Sequence, residues 1–149
     1  MTLKERIQED MKAAMRARES ERLLAIRMLL AAVKQKEIDE RIDADDAAVT
    51  AIVERLIKQR RDSIDQFGKA GRTDLVDKET AELHLLQGYL PRQMDEGEIA
   101  AAIDAAIGES GASGPQAMGK VMALLKPRLA GKADMGKVSA MVKGRLAGG

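Results

Sequence analysis

Two aromatic side chains, Phe67 and Tyr89, are all that this 149-residue chain can place in a core, and it has no tryptophan. Strands of sandwiches and barrels draw on aromatic and β-branched residues, so those folds are disfavoured. RNA readers that stack bases on aromatic platforms are disfavoured for the same reason. Yet 45% of the residues are hydrophobic, enough for a real core. They recur at helical spacing, so the expectation is an all-α protein with an aliphatic interior. The nine methionines read as fillers of such a bundle, with a plastic binding groove as the alternative.

The helices can be placed by their caps and breaks. Thr2 and Glu5 form a capping box ahead of Leu3, Ile7, Met11, Ala14 and Met15, which share one face. A second helix from about Ser20 to Ile38 is apolar on most sides (Leu23, Leu24, Ile26, Met28, Leu29, Leu30, Val33). That pattern predicts the central, most buried element. Asp45 or Asp46 opens a third, with Gly68 as its terminator, and a fourth runs to the neighbourhood of Pro91. Asp95 and Glu98 cap a fifth helix, and Pro115 starts a sixth that ends near Leu125, ahead of Pro127. Gly131 closes the next turn and Asp134 opens the last helix. A boundary between two units falls around Pro91–Asp95, giving an N-terminal helical bundle over 1–92 and a small three-helix C-terminal domain over 93–149.

Sites for chemistry are scarce. With no cysteine, thiol catalysis, disulfides and cysteine-bound metals are excluded. His84 is the lone histidine and reads as a helix-surface or interhelical residue, with no nucleophile setting around it. Asp39, Glu40, Asp43, Asp45 and Asp46 lack the spacing and glycine of a calcium loop and read as a solvated capping turn. No catalytic residue, metal site or cofactor is assigned. The start MTLKERIQEDMK has no apolar leader and no run is long enough to span a bilayer, so a cytoplasmic protein without a membrane partner is expected.

The basic end stands out. From Pro115 to Gly149 seven bases face one acid, a local +6 on a chain of formal charge +1. On a helical wheel, lysines share the outward faces with Gly119 and Gly144, which cost a helix roughly 0.5–1 kcal/mol each relative to alanine. Close approach by a phosphate backbone would account for both features. A solvated basic face with tolerated glycines accounts for them as well, and the residues leave the two readings open.

Three segments, IKQRRDSIDQFGKAGRTDLVDKE, YLPRQM and MGKVM…LKPRLAGKADMGKVSAMVK, resemble the YqeY family, which is similar to the tail domain of GatB. GatB is a subunit of the glutamine-dependent aminoacyl-tRNA amidotransferases, associated with carbon–nitrogen ligation using glutamine as amide donor. The resemblance implies an all-α, two-part protein and directs the basic face to tRNA through Gly119, Lys120, Lys126, Gly131, Lys132, Lys137 and Lys143. It carries over no amidase or kinase motif. The resulting expectation is a tRNA-binding or accessory module without independent catalysis. The alternatives are a helical protein–protein adaptor, or a non-catalytic subunit beside amidotransferase partners.

Overall fold

A computed structural model of the chain describes residues 1–148. It is all-α, with no strand among the described residues. In order come α1 (Leu3–Ala17), α2 (Ser20–Glu40), α3 (Asp46–Lys69), α4 (Thr73–Gln87) and α5 (Glu96–Ser110). A short 3-10 turn (Pro115–Ala117), α6 (Met118–Leu129) and α7 (Met135–Gly148) follow. The chain divides into two compact units, Met1–Leu90 and Pro91–Gly149.

Local chemistry sets the helix ends. Thr2 Oγ1 accepts from the Glu5 N–H at 3.1 Å, Asp45 from Ala48 at 2.8 Å and Asp95 from Glu98 at 2.8 Å. These side chains satisfy N–H groups that the first helical turn leaves without partners. Two ends differ from the sequence expectation. Gly68 lies inside α3, and the left-handed turn falls at Gly71 (φ 72) instead. Helix α6 continues through Pro127 to Leu129. The amide that proline lacks would have bonded to the carbonyl of Ala123, on the exposed side of the helix where water can serve it.

In the N-terminal unit two helical hairpins, α1–α2 and α3–α4, enclose a core of Ile7, Ile26, Leu29, Val33, Val49, Ile52, Val53 and Ile57. Tyr89 is its only aromatic member. Its hydroxyl donates to Asp10 at 2.7 Å, and the Arg6 guanidinium lies 5.1 Å from the ring centre. Burial, with Asp10 beside it, pushes the Tyr89 phenol well above its ordinary value. At the other end Lys4 Nζ donates to Glu37 at 2.7 Å, and Glu37 accepts the Ala44 N–H at 2.9 Å. The Lys4 bond, then the Ala44 bond, hold the Glu37 carboxyl down at about 2.

The unexpected feature is α2. It is not buried all round: Ala25, Ile26, Leu29 and Val33 face the core, while Leu24 is 50% exposed, Met28 46% and Ile38 59%. With three helices beside it, the bundle can cover only one side. The two faces should therefore respond differently to truncation. Ile26→Ala is expected to cost about 2–5 kcal/mol of unfolding free energy, and Leu24→Ala under about 1 kcal/mol. Denaturant unfolding checks this, and equal losses would mean that Leu24 is covered.

Candidate interaction surface

The residues singled out for RNA binding all fall in the C-terminal unit, where the structure gives them different surroundings. That unit is a three-helix bundle around Ile99, Ile103, Val121, Leu125, Leu129, Val138 and Val142. Gly131 is buried, with φ 74, and its carbonyl accepts from Gln93 Nε2 at 2.7 Å. Its role is the tight turn between α6 and α7. The neighbouring Lys132 is exposed, and its carbonyl accepts the Met94 N–H at 2.9 Å. Lys137 is an ion-pair partner, 2.7 Å from Glu96. Lys120, Lys126 and Lys143 are exposed, and no side chain stands within 4 Å of where a Cβ would be on Gly119 or Gly144.

The +6 count is a local one, and the fold cancels much of it. Helix α5 supplies Glu96 to Lys137, Asp104 to Arg145 at 2.7 Å and Glu109 to Arg128. Over Pro91–Gly149 eight bases meet six acids, a net +2. The acids answering α7 lie 41 residues upstream of their partners, so a window starting at Pro115 misses them. Two such pairs at the same separation also fit α5 and α7 running in the same direction.

Elsewhere the candidate catalytic and metal residues are accounted for structurally. His84 is exposed on α4. Asp45 caps α3, Asp46 accepts the Leu3 N–H at 2.9 Å, and Asp43 pairs with Lys4 at 3.1 Å. Asp39 accepts from Gln35 at 2.8 Å, and Glu40 pairs with Lys36. Among the described residues no group of three His, Cys, Asp or Glu side chains could hold a metal ion. No described helix is long and apolar enough to cross a membrane.

What the fold does leave open is the outward face of α2. Leu24, Met28, Ala31, Gln35 and Ile38 recur at alternating steps of four and three, the spacing of a helix-pairing seam, and Ile42 follows just past the helix end. All six are exposed. Beside Leu24 a groove of about 520 Å³ opens against α4, lined by Ala25, Ala81 and Leu85 with Glu82 at its edge. Next to it Arg60 of α3 lies 2.9 Å from Glu82 and 3.3 Å from Glu79, all three mostly buried. The groove itself carries both signs, with Glu21 and Glu82 beside Arg22 and Lys78. The alternating spacing was present in the sequence, but the apolar residues on the opposite side of α2 masked it.

Compared with known proteins, residues 4–146 match the family model described as Yqey-like protein. The chain belongs to the YqeY family. Its relatives include proteins named "Altered inheritance of mitochondria protein 41, mitochondrial". The one from Eremothecium gossypii is 45% identical over 107 residues, 69% of this chain and 58% of the relative. That from Lachancea thermotolerans is 38% identical, covering 73% of this chain and 60% of the relative. In Pyrenophora tritici-repentis the figures are 34%, 83% and 71%. This YqeY-family chain thus spans about 58–60% of the length of the first two relatives.

These names correct two expectations. They refer to the inheritance of mitochondria, and not to amidotransfer or tRNA binding, which overturns the reading of a tRNA-binding accessory module. Of the five lysines in that reading, Lys137 is engaged in an ion pair with Glu96. The cytoplasmic placement likewise does not stand beside relatives designated mitochondrial. It rested on the lack of an apolar leader, which bears on secretion; mitochondrial addresses are amphipathic and basic.

The pairing has a direct readout. Lys137 holds the Glu96 carboxyl below its ordinary value of 4.5. Side-chain NMR titration of Lys137→Ala should show the Glu96 midpoint rising toward that value. An unmoved midpoint would mean that the pair does not form in solution.

Proposed function

We propose that this YqeY-family chain acts by binding another protein through the outward face of α2. The process it serves bears on the inheritance of mitochondria, as the names of its relatives put it. The observation that carries this is the exposed apolar row. Of the six large hydrophobic side chains exposed among the described residues, Leu24, Met28 and Ile38 belong to that one row. Scattered exposed apolar residues are ordinary on soluble proteins, whereas a row on one face is an interaction surface. The form of this one, a helix face with a groove beside it, suits a partner helix.

A photo-crosslinking residue at position 28, introduced in the native host, tests the reading. It should yield a dominant protein adduct that disappears when Leu24→Lys is added. The same residue at position 69, where the Lys69 side chain is 77% exposed, should not give that adduct. Identical adducts at 28 and 69, or adducts indifferent to Leu24→Lys, would overturn it.

A further inference from the structure

The apolar row on α2 has a charged border. Arg27, Lys34 and Arg41 recur every seven residues along one flank, all exposed, with Arg41 as the C-cap. At 100° per residue they lie some 80° to one side of the seam's mean direction. Among the described residues none of the three has an ion-pair partner, whereas Arg22 and Lys36 of the same helix do. Lys36 pairs with Glu40 and Arg22 with Glu19. Glu37 is three residues beyond Lys34, but it is held by Lys4. The other flank differs: Ala25 and Ala32 are uncharged there, Asp39 bonds to Gln35, and the groove beyond carries both signs, Glu21 and Glu82 beside Arg22 and Lys78.

We propose that the occupant of this surface is an acidic amphipathic helix of a partner protein. Its apolar stripe lies along Leu24, Met28 and Ile38, and its carboxylates meet Arg27, Lys34 and Arg41. The inference rests on the reading of α2 as a docking face and adds the chemistry of the partner. Flanking charges select partner and orientation in paired helices. Here three unpaired cations favour carboxylates on one side only. On the other side no comparable row of unpaired cations stands among the described residues of α2, so the partner's acidic edge runs along the cationic flank. A second copy of α2 is a poor fit. Antiparallel pairing sets the cationic rows against each other, and parallel pairing brings only Lys34 towards Asp39 of the copy.

The test uses the full chain and two synthetic helical peptides. The peptides share one apolar heptad stripe and differ only in flanking glutamates or lysines. The glutamate peptide should bind about tenfold or more tightly than the lysine peptide, the sum of three modest exposed pairs. Its amide shift changes should map to residues 24–42, and its advantage should shrink with added salt. Arg27→Glu with Lys34→Glu and Arg41→Glu should invert the preference. Leu24→Ser with Met28→Ser and Ile38→Ser should abolish binding of both peptides while helical content stays unchanged. Equal affinity for the two peptides, a preference for lysine, or no binding of either would overturn the acidic partner and leave the docking face standing. Self-association through α2 would also overturn it. Undiminished glutamate-peptide binding by the folded serine variant would bring down both readings.

Discussion

Helix α2 carries more apolar side chains than its own bundle can cover, and the layout of the N-terminal unit follows from that. Ile26, Leu29 and Val33 join α1 and α3 in a dry core. Burial of such side chains is worth roughly 1.5–3 kcal/mol each. The opposite row keeps Leu24, Met28 and Ile38 in water and gains none of it. Nothing in the N-terminal fold needs that row to be apolar. Polar residues there would keep the helix and raise solubility, so its character makes sense through a partner.

Electrostatics acts in both units in the same way: ion pairs join one helix to the next. In the N-terminal unit Lys4, Glu37 and Asp43 tie the start of α1 to the end of α2. In the C-terminal unit, α5 offers one acid to α6 and two to α7. Exposed pairs of this kind add little stability. Their larger effect is to flatten the field that a basic tail would otherwise project. What distinguishes Arg27, Lys34 and Arg41 is their regular seven-residue spacing beside the apolar row of α2.

Much of the fold was legible in the sequence because caps and periodicity act locally. Thr2, Asp45 and Asp95 announce their helices within three residues, and the scarcity of aromatics pointed away from strands. Family membership was legible in short ordered motifs such as MGKVM and GKAD. What failed was non-local. The partners of Lys137 and Arg145 lie 41 residues away, so a local count of charge overstated the net charge of the unit. For α2, the apolar composition showed that both faces were hydrophobic, but only the bundle decides which one is covered. Gly131 was local too: the turn read from the sequence is borne out by its positive φ.

The central claim is that the outward face of α2 is open in the isolated chain and covered by a partner in the cell. Methionine oxidation followed by mass spectrometry reads this at Met28, 46% exposed, with Met15, 49% exposed on α1, as an internal reference. In the purified chain Met28 should oxidise at a rate close to that of Met15, and well above that of half-buried Met11. In intact cells Met28 should be protected relative to Met15. Slow oxidation of Met28 in the purified chain, or an unchanged ratio to Met15 in cells, would contradict the account.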